Sequence, residues 1–407
     1  MNELSNSFFT EAAWRALPDQ LETELDRILR YWEQFAADSE GEGFYGRIDE
    51  MNIVHEKAPR GSVLNARILW TFSAAYNQFH HPVYLELATR AYQYLRAYLT
   101  DQTHGGLYWS VDHLGRPQEA HKQVYAQAFG IYGISEYYRA IQRPEVLEQA
   151  LSLYELIEQN SRDQRYGGYI DAFSGDWSFL EDKRLSAKDE NASKTMNTHL
   201  HIAEAYANLY VVHPSEKLKE DIRELLRLFN EKIIHPKSHH LGLFFSEGWE
   251  MDDRIISYGH DIEAGWLLQS CAEIIQDPAL IDLARKNAVC ITDAAMEGLD
   301  EDGGLWYEFN QETGKPVAEK HWWPQAEALI GFCNALQLTG NIKYKNALLK
   351  NWHFISNHII DLSGGEWVWG IDQYHIKMPG QDKVGIWKCP YHNSRACLEL
   401  LKRLKTI

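Results

Sequence analysis

The chain has 407 residues, 45% of them hydrophobic, and a formal net charge of −18. That charge argues against nucleic acid or an anionic membrane as partner, since both need a basic face. Residues 1–14 lack a basic stretch and an apolar core, so no signal peptide is read, and no apolar run approaches the ~18 residues of a membrane span.

A short Gly–aromatic signature recurs along the chain, and predicted helices alternate around it. An outer, amphipathic helix over 11–36 leads to Gly43-Phe44-Tyr45, then to an apolar inner helix over 62–79 with Arg67 near its start. The second outer helix, 83–99, leads to Gly105-Gly106-Leu107-Tyr108-Trp109 and an inner helix over 122–140 carrying Tyr125. The third, 145–160, leads to Gly167-Gly168-Tyr169 and an inner helix over 195–212 with Asn197 and His201. The fourth, 215–233, shows a stripe of Leu218, Ile222, Leu225, Leu226, Phe229 and Ile233 with charged residues around the rest. It leads to Gly242-Leu243-Phe244 and an inner helix over 259–276 with His260 and Glu263, which is apolar on nearly every side. The fifth, 279–297, leads to Gly303-Gly304-Leu305-Trp306-Tyr307 and an inner helix over 322–338 with Trp322, Trp323 and Glu327. The sixth, 342–358, leads to Gly364-Gly365-Glu366-Trp367 and an inner helix over 390–404, with Trp387 before it and His392 within it. Pro82, Pro144, Pro214 and Pro278 mark starts of outer helices, where a missing N–H is harmless.

The signatures recur at roughly 62 residues, with one longer third step of about 74, and such a period marks a repeat architecture. Twelve alternating helices, six of them inside, predict one all-α domain over 1–407: an (α/α)6 barrel with short β-hairpins in the loops. All inner helices then start at one mouth. The longest loops, about 170–194 and 368–388, are expected as rims or lids.

Polar and aromatic residues thus recur at the inner-helix starts, and a closed barrel brings them together. Asn197 and His201 are four apart, and His260 and Glu263 three apart, so each pair shares a helix face. The 14 Trp, 22 Tyr and 15 Phe suit packing as well as stacking on sugar rings. His199, His201 and the pair His239-His240 match no recognised zinc spacing, and no nucleotide-binding loop or nucleophile elbow occurs, so no metal or cofactor is expected. The five cysteines (Cys271, Cys290, Cys333, Cys389, Cys397) form no disulfide framework and are expected as reduced thiols in a cytoplasmic protein. Histidines with an arginine and no cofactor fit proton transfer alpha to a carbonyl, with positive groups stabilising an enediolate.

Ser257-Tyr258-Gly259-His260-Asp261-Ile262-Glu263-Ala264, Trp322-Trp323 with Gln325-Ala326-Glu327-Ala328, and Trp387-Lys388-Cys389-Pro390-Tyr391-His392-Asn393 resemble the acylglucosamine 2-epimerase superfamily, and within it the cellobiose 2-epimerases. The resemblance covers essentially the whole chain. It implies an (α/α)6 barrel and metal-independent epimerisation at C2 of the reducing-end glucose of cellobiose and related β-1,4-disaccharides. It also implies His260 and His392 as the catalytic pair on opposite faces of C2, with His201 as a third essential histidine. The resemblance further implies that the family's arginine and asparagine, near the C1 and C2 oxygens, fall on Arg67 and Asn197, its glutamate on Glu263, and its sugar-stacking tryptophans on Trp323 and Trp387. Pro324 and Gly265 depart from the expected motifs without removing a functional group. Partners are expected to be small sugars, with the chain a monomer or weak homodimer. The competing readings are a mannose-type aldose–ketose isomerase, an N-acetylglucosamine 2-epimerase, a glycoside hydrolase using two opposed carboxylates, and a non-catalytic sugar binder.

Overall fold

In the computed structural model, which describes residues 10–252 and 254–406, the predicted helix order is found throughout. It runs α1 (Glu11–Tyr31), α2 (Ser62–Phe79), α3 (Pro82–Tyr94), α4 (Val124–Ile141), α5 (Pro144–Asn160), α6 (Met196–Val212), α7 (Glu216–Leu228), α8 (Tyr258–Ile275), α9 (Pro278–Ala295), α10 (Trp322–Thr339), α11 (Ile342–Phe354) and α12 (Tyr391–Arg403). Residues 1–9, the bulk of the segment read as lacking a signal peptide, lie outside the described residues. Among the described residues no helix is long and apolar enough to cross a membrane.

The even-numbered helices form the inner ring. Each packs on the next, and the ring closes where α12 meets α2. Sequence pattern explains which helices go inside. Almost every residue of α4 from Val124 to Tyr137 is buried, whereas α7 buries only the Leu218, Ile222, Leu225, Leu226 face and Asp221 beside it. Four outer helices (α1, α3, α7 and α11) continue into a five-residue π-helical turn, which accounts for their predicted ends near 36, 99, 233 and 358. Pro82, Pro144 and Pro278 are first residues of outer helices. Pro214 instead precedes Ser215, whose side chain caps α7 by accepting from the Leu218 N–H at 3.3 Å.

The loops at the mouth are more than hairpins. Hairpins do occur, as where Phe309–Asn310 pairs with Lys315–Pro316. Yet a short strand just before each of α2, α4, α6, α8 and α10 also pairs with the following repeat. Arg60–Gly61 pairs with Ser110–Val111, Lys122–Gln123 with Ala172–Phe173, and Lys194–Thr195 with Phe244–Phe245. Ile255–Ile256 pairs with Phe309–Asn310, and Glu319–His321 with Gly370–Asp372. A bridge between Ile48 and Val384 joins the last repeat to the first. The mouth is therefore stitched around its whole circumference.

Ion pairs with buried cations pin the signature loops to these strands. Arg60 meets Asp38 at 2.5 Å, Lys122 meets Asp101 at 2.7 Å, Lys194 meets Asp163 at 2.6 Å, and Lys320 meets Asp300 at 2.6 Å. Gly43, Gly105, Gly167, Gly303 and Gly365 have positive φ, the left-handed conformation that glycine adopts without steric cost. The fourth repeat corrects the sequence reading. Bridges pair Thr100 with Leu107, Arg162 with Tyr169, Leu299 with Leu305 and, in repeat four, Ile234 with Leu241. The equivalent of the Gly signature there is His239-His240-Leu241, three residues before the predicted Gly242-Leu243-Phe244. His239 holds the left-handed position at φ 63°, a conformation a non-glycine residue adopts only at some cost.

Candidate active site

A second regularity sets the register of the inner helices. Gln127 accepts from the Leu107 N–H at 2.6 Å, His199 from Tyr169 at 2.9 Å, Asp261 from Leu241 at 2.9 Å, and Gln325 from Leu305 at 2.7 Å. Each clamp ties an inner helix to its own signature loop. Two residues further along, the side chains turn to the barrel axis: Phe129, His201, Glu263 and Glu327. Arg67 and Arg395 complete this ring from α2 and α12. Arg395 follows the same spacing after Asn393, which donates to Glu366 in the sixth loop at 2.7 Å.

A cavity of about 160 Å³ opens at the mouth above this ring. Of the residues predicted to form the site, Arg67, Tyr125, Asn197, His201, His260, Glu263, Trp322, Trp323, Trp387 and His392 all line it. Glu327 does not. It is fully buried behind His392 and acts on that ring rather than on anything in the cavity. Both long loops serve as rims: 170–194 supplies Leu185, Ser186, Lys188 and Asp189, and 368–388 supplies Trp369 and Trp387. A larger outer cavity of about 380 Å³ shares Asn197, His260, Lys188, Asp189 and Tyr307 with the inner one and extends toward Arg254 and Glu308.

Each of three histidines is held through Nδ1, leaving Nε2 available. His201 Nδ1 meets Glu204 Oε2 at 2.9 Å, His260 Nδ1 meets Ser257 Oγ at 2.8 Å, and His392 Nδ1 meets Glu327 Oε1 at 2.6 Å. A carboxylate on Nδ1 fixes the tautomer with Nε2 unprotonated and basic. Burial lowers the basicity of His201, though Glu204 opposes the effect. Burial, then the charges of His201 and Lys188, push His260 down to about 3. Burial, then Arg67 and Arg395, push His392 well below its usual range. All three rings are therefore neutral at pH 7, as general bases must be.

Arg67 is buried, donates to Tyr125 Oη at 2.7 Å and lies over the Phe129 ring at 4.2 Å. Buried atoms without a protein partner include Asn197 Oδ1 and Arg67 Nε, both on residues that line the cavity. Polar groups left unsatisfied at a cavity wall suit a hydroxyl-rich ligand. The Trp323 ring stands 4.8 Å from His260 and 5.6 Å from His392, between the two. Trp322 packs against His392 at 5.4 Å and carries the buried Lys388 over its face at 4.1 Å.

Sequence reasoning missed Arg395, which organises the floor. Its guanidinium is 1% exposed and donates from Nη2 to Glu263 Oε1 and Glu327 Oε1, each at 2.6 Å, and from Nη1 to Glu204. One cation thereby links the carboxylates behind His201 and His392. Burial would raise Glu204, but Arg395 and His201 overcome it and hold the carboxyl at about 2. Burial raises Glu263 and Glu327, and repulsion by Glu327 adds to the effect on Glu263, so this pair retains a proton into the neutral range. Glu263, Glu327 and His392 present ligand atoms within 4.8 Å of one another, a grouping that suits a metal. Both carboxylate Oε1 atoms are already accepting from Arg395, and His392 Nδ1 from its side donates to one of them, so the cation in this grouping is the guanidinium. The spacing of the clamp residues was the signal for Arg395: two past Asn393, as Glu327 is two past Gln325.

The fold and this site have known counterparts. A sequence model of the N-acylglucosamine 2-epimerase (GlcNAc 2-epimerase) family matches residues 43–393. A cellobiose 2-epimerase of Bacteroides fragilis is 43% identical over 386 residues, covering 95% of this chain and 98% of that one. The solved cellobiose 2-epimerase of Bacillus thermoamylovorans superposes with a TM-score of 0.91 at 37% identity, over 96% of this chain and all of that one. That of Spirochaeta thermophila gives 0.92 at 38% identity, over 97% and 98%. With the (α/α)6 barrel, the histidines at its mouth and these matches together, the chain belongs to the N-acylglucosamine 2-epimerase family.

Proposed function

We propose that the protein epimerises C2 of the reducing-end glucose of cellobiose and related β-1,4-linked disaccharides, giving the mannose epimer. The observation that carries this reading is the convergence of three Nδ1-anchored histidines and Arg67 on one cavity. The names of the similar proteins support the sugar; the geometry supports the chemistry.

In this reading the sugar ring opens in the inner cavity, between Trp323 and Trp387, and the second sugar extends into the outer one. One of His260 and His392 takes the C2 proton on Nε2. The C–H electron pair passes into an enediolate, whose oxygens face Arg67, with Tyr125 and Asn197 beside it. The other histidine returns a proton to the opposite face of C2. The inner-helix N-termini add positive potential at the same mouth. No redox step occurs, so the side chains supply all the proton transfers. His201, paired with the ionised Glu204, is placed to serve ring opening and closure.

Hydrolysis is disfavoured by the carboxylates. A glycoside hydrolase needs two flanking a bond, about 5–9.5 Å apart. Here Glu263 and Glu327 bind the same Arg395 nitrogen, and Glu327 is absent from the cavity wall. All five cysteines are free thiols, which supports a reducing, cytoplasmic setting. The site is built within one chain, consistent with a monomer or a weak homodimer.

The test is incubation with cellobiose in D2O followed by NMR of the products. Deuterium at C2 of glucosyl-mannose is the expected result. A ketose as sole product would reassign the protein to aldose–ketose isomerisation, and free glucose would reassign it to hydrolysis.

A further inference from the structure

A Ser, Thr, Asp or Asn just before a helix ordinarily spends its side-chain oxygen on the first unpaired backbone N–H groups. Thr10, Thr195, Ser215 and Asp277 do so at α1, α6, α7 and α9. Ser257 holds the same position before α8, with extended backbone at φ −111° and ψ 99°, yet its side chain makes no capping bond. Its hydroxyl lies against His260 Nδ1 at 2.8 Å instead, and the residue is buried. A cap of this kind satisfies an otherwise unpaired backbone N–H and stabilises the helix. Here that stabilisation is forgone for a contact with a cavity histidine.

The contact also differs in kind from its counterparts. His201 and His392 rest on the carboxylates Glu204 and Glu327, while His260 rests on a neutral hydroxyl. The charged and titratable groups facing His260 are His201 from α6, Lys188 from the rim loop and Glu327 from α10. None of them is an ionised partner on Nδ1.

Building on the epimerase reading, we propose that Ser257 is a positioning residue: it accepts from His260 Nδ1–H, so that Nε2 faces C2 with its lone pair free. When C2–H breaks, the proton goes to Nε2 and the electron pair into the enediolate, while Nδ1–H stays on the serine oxygen. Because the hydroxyl carries no charge, the imidazolium so formed is not trapped by a carboxylate and releases its proton readily. Ser257 thereby makes the two C2 bases unequal by construction.

Ser257→Ala tests this directly. The kcat is expected to fall about 10- to 100-fold, the order that misplacing a reacting group costs, with KM changed little and Tm unchanged because no cap is lost. Ser257→Thr, which keeps the hydroxyl, is expected to recover most of kcat. Ser257→Asp gives His260 a carboxylate partner, raises its affinity for protons, and moves the acid limb of the kcat/KM profile to higher pH. 15N NMR of the unliganded wild type should report His260 as the Nδ1–H tautomer, and Ser257→Ala should show a mixture. Wild-type kcat with a lowered Tm in Ser257→Ala would make the serine a structural cap and overturn the proposal. So would an Nε2–H tautomer in the wild type. If the wild type leaves cellobiose unchanged, the substrate reading fails, and the 15N spectra still decide the role of Ser257.

Discussion

Replacing Arg395 with methionine removes the cation that binds Glu204, Glu263 and Glu327. Breaking a buried ion pair by deleting one partner costs about 3–5 kcal/mol, because the remaining charge is left uncompensated in a poorly polarisable interior. Ionised Glu204 and the Glu263–Glu327 pair, which holds one proton, share this guanidinium, so a loss of at least ~3 kcal/mol at pH 7.5 is expected. The loss must depend on pH, and its sign follows from proton counting. Without Arg395, the Glu204 carboxyl loses the largest of the influences that hold it near 2, and burial, already the main influence on it, raises it. A carboxyl raised above its unfolded value binds a proton more tightly in the folded state. Its penalty is absent below the unfolded value and grows by up to ~1.4 kcal/mol per pH unit as pH rises toward the folded value. Wild-type Glu204, held near 2, keeps its own stabilisation well below pH 5, so Arg395→Met is expected to fall furthest behind wild type at pH 8, with a gap that narrows toward pH 5 without closing. Urea unfolding followed by tryptophan fluorescence at pH 5, 6, 7 and 8 measures this. A gap below ~1 kcal/mol at pH 7.5, or one that does not change with pH, would refute the view that this guanidinium compensates the three carboxylates.

Lys122→Met leaves Asp101 buried without its partner and should lower stability by about 3–5 kcal/mol, measured by the same unfolding assay. His239→Gly removes a non-glycine residue from a left-handed position and should leave stability unchanged or raise it by up to ~1 kcal/mol; a clear loss would mean that repeat four is not built like the others. His260→Ala and His392→Ala should each reduce turnover of cellobiose by more than ~100-fold with the fold intact by circular dichroism, and near-wild-type rates in either would end the two-base reading. EDTA should leave activity unchanged, since Arg395 already binds both carboxylates beside His392; activity that falls on chelation and returns with a divalent cation would show otherwise.

Much of this site was legible in the chain because it is periodic. Arg67, Tyr125, Asn197, His201, His260, Trp323 and His392 all stand near inner-helix starts, and a closed ring of helices brings such positions to one mouth. What periodicity could not supply was depth. Glu263 and Glu327 stand at the same place in their helices, five residues past the first residue of α8 and of α10, yet one lines the cavity and the other lies behind His392. The shifted fourth loop escaped notice because His239 takes a backbone conformation that the sequence reading reserved for glycine.

The sequence by itself determined the architecture and the register. Apolar inner helices, amphipathic outer ones and a repeated turn follow from local periodicity, which a single chain displays openly. Only the tertiary structure decided the chemistry behind the histidines. Arg395 reaches Glu204, Glu263 and Glu327 from α6, α8 and α10, far apart in the chain. Ser257 looks like a helix cap until the ring of His260 is seen against it. Protonation and tautomer depend on distances of a few ångströms between residues of different repeats, in an interior where water does not screen the charges. No pattern along the chain encodes those distances; closing the ring of helices creates them.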